Sequence, residues 1–198
     1  MNDTREHILR VSYKLFLKKS YKEVTMKELV ENSGLSKGAF YHYFEGKEQL
    51  FGEVIDKSFS DFSVDYSKFS HDSLYEFFHD YIKFINERME LFKKNNDCDS
   101  VFDLNYFSLI FDACKLIPSF YEKLNANLQD ELNAWTAIIK LAREKGEIKS
   151  PMSDEQIARI FIYTNDASSL QNILKGQEPV LSSSLLQLWK DFYEEIKE

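Results

Sequence analysis

Between Thr25 and Lys47 the chain reads TMKELVENSGLSKGAFYHYFEGK, a stretch with start and stop signals for two short helices and a turn between them. Thr25 is placed to cap a helix, and Glu28 three positions on can return the bond in a capping box. Val24 and Leu29 occupy the two positions of a hydrophobic staple. The helix this predicts runs from about Met26 to Asn32, and Gly34 supplies a left-handed residue that ends it without a Cβ penalty. Ser36 is a second N-cap, with Leu35 and Phe40 as its staple. A new helix therefore starts at Lys37, after a connection of the length that helix-turn-helix units use.

On that second helix Phe40 and Phe44 are one turn apart and face inward. Gly38, Ala39 and His42 then lie near the centre of the opposite face, flanked by Tyr41 and Tyr43. Small residues at the leading end let the backbone approach a duplex closely, while Lys37, His42 and the tyrosine hydroxyls can reach phosphates or base edges. Three large rings on so short a helix cannot all be buried. Such a helix enters a major groove N-terminus first.

Residues Ile8 to Phe51 resemble the DNA-binding domain of the TetR family of bacterial transcriptional regulators. The resemblance is carried by Ile8-Leu9, Leu15-Phe16, Tyr21, Thr25, the run from Gly34 to Phe44, and Lys47 with Leu50. It covers about a quarter of the chain by motif, and the rest only by length and helical layout. It implies that Thr25 touches a phosphate, that Lys37, Gly38, Ala39 and His42 approach bases, and that Tyr41, Tyr43 and Lys47 hold the DNA backbone. Ser36, at the leading end of the reading helix, completes the expected DNA-binding set. Two positions depart from the family pattern: Ser20 stands where glycine is usual after the first helix, and Ser12 where alanine is usual. Neither lies on the DNA face, and a left-handed Ser20 would cost up to about 1 kcal/mol.

A formal charge of −8 is unusual for a DNA binder until it is divided along the chain. Residues 1 to 50 carry nine Lys or Arg against seven Asp or Glu, so the remainder holds a net charge of about −10. The acid lies outside the DNA module, an arrangement that weakens non-specific binding and makes affinity depend on salt.

Six glycines and three prolines in 198 residues favour long helices, and period-two alternation is absent. The expected fold is all-α with about nine helices: an N-terminal three-helix domain at residues 1–46 and a helical ligand-binding and dimerisation domain at 47–198. Helix four should run from Lys47 to about Phe62. Ser73 and Glu76 form a capping box for helix five, which continues to about Asn95, and Asn95 to Ser100 reads as a loop. Ser100 with Asp103 can start helix six, and Pro118 breaks its end. Helix seven then extends to Lys145 and stops at Gly146. Ser153 with Gln156 opens helix eight, with Met152 and Ile157 as staple, and Gly176 with Pro179 closes it. Helix nine begins near Ser182. No apolar run spans a bilayer and no secretory stretch leads the chain, so a cytoplasmic protein is expected.

The rings of helices five to seven, among them Phe77, Phe78, Tyr81, Phe84, Phe107, Phe111, Phe120, Tyr121 and Trp135, are either ordinary core or the walls of a cavity. For an apolar or aromatic small-molecule effector the candidate lining is Phe84, Phe107, Phe111, Cys114 and Trp135, with Asn165 and Asp166 as polar groups. The Asn165-Asp166 pair, costly if buried unpaired, faces solvent, a partner subunit or a ligand. On the last two helices Ile157, Phe161, Leu185, Leu188, Trp189 and Phe192 repeat at helical steps, as either intramolecular core or a dimer interface. The resemblance implies the latter, with these helices pairing across a two-fold axis as a four-helix bundle. It also implies a homodimer that reads a palindromic operator, most simply a repressor, and releases it when an effector binds.

Two other classes compete. An enzyme needs a nucleophile, base or metal set, yet His7, His42, His71 and His79 are scattered, and His71 and His79, two turns apart, are loosely spaced for a shared metal. Cys98 and Cys114 form neither a disulfide framework nor a metal motif, so no metal, cofactor or catalytic residue is expected. A helical interaction or small-molecule-binding module without DNA binding would explain the acidic aromatic body, but would leave Lys37, Tyr41, His42, Tyr43 and Lys47 with no reason to converge.

Overall fold

The computed structural model describes residues 2–96, 104–176 and 183–198. Among them are nine α-helices: α1 (Asn2–Lys18), α2 (Met26–Ser33), α3 (Lys37–Tyr41), α4 (Lys47–Phe62), α5 (Leu74–Asn96), α6 (Leu104–Leu116), α7 (Pro118–Glu144), α8 (Asp154–Leu174) and α9 (Ser183–Ile196). A single 3-10 turn at Tyr66–Lys68 precedes α5. The one extended pairing among the described residues is an isolated antiparallel bridge between Ile148 and Lys197. The start of helix six at Ser100 and Asp103, the loop from 97 to 100, and Pro179 and Ser182 lie outside the described residues. The fold is all-α, and no described helix is long and apolar enough to cross a membrane.

The chain divides into two compact units, one of Met1–Ser63 with Phe102–Leu124 and one of Val64–Val101 with Asn125–Glu198. In the first, Ile8, Leu9, Phe16, Val24, Leu29, Phe40, Phe44, Leu50 and Phe51 form the centre. The rings of Phe16, Tyr21 and Phe51 meet at 4.6–6.2 Å. Ser20 is held in its turn by Glu23, whose carboxylate accepts from both its N–H and its hydroxyl. Ser12 is buried. Phe59 packs edge-on against Phe120, and Lys123 pairs with Asp56 at 2.6 Å.

In the second unit Trp135 stacks on Phe161 at 5.0 Å, and Phe77, Tyr81 and Trp189 meet it edge-on or tilted. Trp189 is fully buried, and its indole N–H donates to Thr164 Oγ1 at 2.9 Å. Two charged side chains fasten the loops around this core. Arg143 donates to Asp154 Oδ1 and to the carbonyls of Ser150 and Met152, each at 2.8 Å, which closes the turn from α7 to α8. Glu147 accepts from the backbone N–H groups of Leu74 and Tyr75 and from the Tyr193 hydroxyl.

The expected capping box of α5 is therefore only half formed. Ser73 Oγ accepts from Glu76 N at 3.1 Å, but the Glu76 carboxylate turns to the Ser70 hydroxyl instead. The remaining orphan donors of that helix start are satisfied by Glu147, some seventy residues away in sequence. At α8 the box of Ser153 and Gln156 is complete.

Candidate nucleic-acid interface

α2 starts where its capping box sets it. Thr25 Oγ1 accepts from Glu28 N at 3.2 Å, and the Glu28 carboxylate accepts from Thr25 N at 2.9 Å. Lys19 also pairs with Glu28. These donors, Lys19 first and then Thr25, hold the Glu28 carboxyl down at about 2. Gly34 ends α2 at φ 70°, its N–H returning to Glu31 O at 3.2 Å. A Cβ at Gly34 would meet no neighbour, so glycine is required there by the backbone angle alone. Ser36 caps α3 by accepting from Ala39 N at 3.3 Å.

Phe40 and Phe44 are both 0% exposed. Lys37, Gly38, Ala39, Tyr41 and His42 are exposed, and Tyr43 is half-buried. Lys37 Nζ lies over the Tyr41 ring at 5.9 Å, and the His42 and Tyr43 rings meet edge to face at 5.4 Å. Thr25 and Ser36 are exposed beside this face, each with its hydroxyl engaged as a cap. Of the residues proposed for DNA from sequence, seven are exposed, and Tyr43 and Lys47 are half-buried.

Lys47 is half-buried, and its ammonium donates to the carbonyls of Tyr21 and Val24 at 2.9 Å while lying 4.2 Å from the Tyr21 ring. Two of its three N–H groups are thus committed to the loop before α2. The Tyr21 hydroxyl donates to Glu48 at 3.0 Å, and burial, with that bond, pushes its pKa up to about 12. α3 is also shorter than its pattern implies. α3 ends at Tyr41, and Tyr43 N turns to Phe40 O at 3.0 Å, although Phe44 N still reaches Phe40 O at 3.2 Å. Tightening of a last turn into i, i+3 bonds is how such an end satisfies its groups.

Contacts from α1 brace the unit behind the outward face. The Arg5 guanidinium lies over the Phe44 ring at 5.2 Å, and His7 Nε2 is 3.0 Å from Ser33 O. Neither residue was singled out in the sequence as a support of the motif. Arg5 lies on the same helix face as Leu9 and Ser12, a placement the helical period does contain, whereas His7 projects from a different face.

The other proposed sites fare differently. Ile157, Phe161 and Trp189 are 0% exposed and Leu185 is 3% exposed, all inside the core of one chain. Phe161 there meets Phe78 of α5, Trp135 of α7 and Trp189 of α9. Phe192 is half-buried on Phe161, and Leu188 alone of that set is half exposed. Of the proposed effector residues, Phe107, Phe111 and Cys114 fall on α6 in the first unit, where Phe111 is 58% exposed. Phe84, Trp135, Asn165 and Asp166 fall in the second. There Trp135 is core, Phe84 packs on Phe69, and Asn165 donates to the Tyr81 hydroxyl at 3.2 Å. Sequence reasoning missed Glu131 and Tyr66, which meet the same tyrosine cluster. The signal was present: Glu131 sits four residues before Trp135, an acid on an apolar stripe.

Residues 8–54 match the family of bacterial regulatory proteins named for TetR. The HTH-type transcriptional repressor BepR of Brucella suis is 25% identical over 166 residues, which are 81% of this chain and 76% of that one. The HTH-type transcriptional repressor NemR of Escherichia coli is 32% identical over 59 residues, 30% of each chain. Among solved structures, a TetR-family transcriptional regulator from Agrobacterium tumefaciens has the same fold, with a TM-score of 0.67 at 13% identity, over 100% of this chain and 99% of that one. With its capped helix-turn-helix, the segment 8–54 matches the DNA-binding domain of the TetR family of bacterial transcriptional regulators, and the whole chain shares the fold of that family's solved structures.

Proposed function

We propose that the chain is a ligand-responsive repressor that binds a palindromic operator as a homodimer in the cytoplasm. Residues 1–46 read DNA, and 47–198 provide the effector and dimer functions. The observation that carries the reading is the division of α3, with Phe40 and Phe44 sealed inside while Lys37, Gly38, Ala39, Tyr41 and His42 are exposed. Thr25, Ser36, Tyr43 and the remaining donor of Lys47 complete the contact set, through phosphates rather than bases. Repression is supported by the names of BepR and NemR.

The dimer proposal rests on a different face from the one the sequence pattern offered. Tyr163, Leu170 and Leu174 of α8 are 44–65% exposed at steps of seven and four, and Leu188 of α9 is 50% exposed. An apolar stripe of this kind gains most by meeting its own copy about a two-fold axis. Two reading helices would then address half-sites about one helical turn, or a multiple of it, apart.

Titration against the DNA upstream of the protein's own gene, at several salt concentrations, tests the reading. Replacing both Tyr41 and His42 with alanine should lower operator affinity at least tenfold, through about 1–3 kcal/mol for the lost His42 base contact and the loss of the Tyr41 backbone contact, and leave thermal unfolding nearly unchanged. Unaltered affinity in that variant would remove the assignment. Leu174→Glu with Leu188→Glu should halve the sedimenting mass.

A further inference from the structure

The second unit holds a cavity of about 210 Å3 whose walls include Tyr66, His71, Phe77, Ala134, Ala137 and Ile138. Ala134 and Ile138 are one turn apart on α7, and Glu131 stands one turn earlier in the same stripe. Tyr66 links the cavity to that acid, since the residue lines the space and its hydroxyl is close enough to the Glu131 carboxyl for each to shift the other's proton affinity. From α5 the Tyr81 hydroxyl donates to Glu131 Oε1 at 3.4 Å, and from α8 Asn165 donates to the same hydroxyl. Asp166, beside Asn165, adds a second negative charge, and Asp130 a third near Tyr66. Among the described residues, no lysine, arginine or histidine offsets Glu131 or Asp166.

Trp135 adds an independent sign of an unfilled partnership. It lies one turn beyond Glu131 on the same face of α7 and packs on Tyr81 at 5.4 Å. Helical side chains lean toward the N-terminus, so its indole covers the turn that bears Glu131. The residue is 1% exposed, and among the described residues its indole N–H has no acceptor. A buried donor without a partner costs about 1–3 kcal/mol, and keeping an ionised acid away from water costs more unless it is paired.

We propose that this cavity binds a small organic cation with an aromatic or branched apolar body, its charge resting on Glu131 against the faces of Tyr66 and Tyr81. The apolar walls take the body, the tyrosine rings add cation–π attraction, and the carboxyl supplies the counter-charge. The inference rests on the regulator reading only in naming this ligand as the effector; the binding itself does not require it.

Proton linkage gives the site a signature. Burial first, then the charge of Asp166, pushes the Glu131 carboxyl up to about 7, against the opposing bonds from Tyr66 and Tyr81. A cation needs the ionised form, so its affinity should rise as pH increases from 6 to 8.

The probe is benzyltrimethylammonium, with phenylacetate as the anionic comparator, titrated calorimetrically into the full chain without DNA. The cation should saturate one site per chain, bind at least tenfold more weakly to Glu131→Gln, and lose its pH dependence in that variant. Ala137→Phe, which narrows the cavity, should also weaken it. Absence of saturable cation binding, equal binding by Glu131→Gln, or tighter binding of phenylacetate overturns the proposal. Operator titration with the cation present then separates the two readings: cation bound at Glu131 with operator affinity unchanged retains the site and removes its effector role.

Discussion

The two helices of the helix-turn-helix start on their own neighbours, whereas the longest helix of the second unit's aromatic core to begin inside it starts on a residue far along the chain. α2 and α3 are capped by Thr25, Glu28 and Ser36, each within three positions of its partner. α5 receives half its cap from Ser73 and the other half from Glu147. The difference is one of autonomy. A helix-turn-helix whose caps are local keeps its geometry when its surroundings move, and a helix capped at long range reports on whether the rest of the unit is assembled.

The comparison can be broken most severely through the rings of each core. Phe161→Ala should destabilise by about 4 kcal/mol, because it removes a ring packed on Phe78, Trp135, Trp189 and Phe192 at once. Denaturant titration should show this loss without a change in slope if the unit unfolds as a whole. Glu147→Ala follows at about 2 kcal/mol, since two backbone donors and the Tyr193 hydroxyl lose their acceptor. Its distinguishing mark would be early exchange of the amides at the start of α5.

Thr25→Ala should cost about 1 kcal/mol, the ordinary price of one N-cap. Hydrogen exchange should confine the change to α2, and a spread into the second unit would refute the autonomy drawn above. Lys37→Ala is the smallest in stability, under about 0.5 kcal/mol, because the side chain is exposed and only overlies Tyr41. A phosphate contact there would lower the salt dependence of DNA binding by about one unit, whereas a base contact would relax specificity at one position.

This division also explains what could be read in the sequence. Capping boxes, glycine stops and staples are local, so the bounds of α2 and α8 and the exposed set on α3 follow from residue types at short spacing. Gly34 and Gly146 end helices at φ 70° and 73°, as their positions imply. Apolar periodicity, by contrast, tells which residues are covered but not by what. Ile157, Phe161, Leu185 and Trp189 have the spacing of an interface and are core, while Tyr163, Leu170 and Leu174 beside them face out. The Lys47 ammonium shows the same limit, since its carbonyl partners at Tyr21 and Val24 lie more than twenty positions away. Glu131 could have been flagged as an acid on an apolar stripe. That Tyr66 and Tyr81 would meet it could not, because three separate elements supply the cluster.

The Glu147 carboxylate, seated between two amides and a phenol, has a consequence for how this protein can diversify. Adding or deleting a single residue in the short connection that bears it would misplace the acid for every one of its partners together. Length variation among functional descendants of this chain should therefore avoid that connection, and point changes there should be limited to side chains that can still accept three donors.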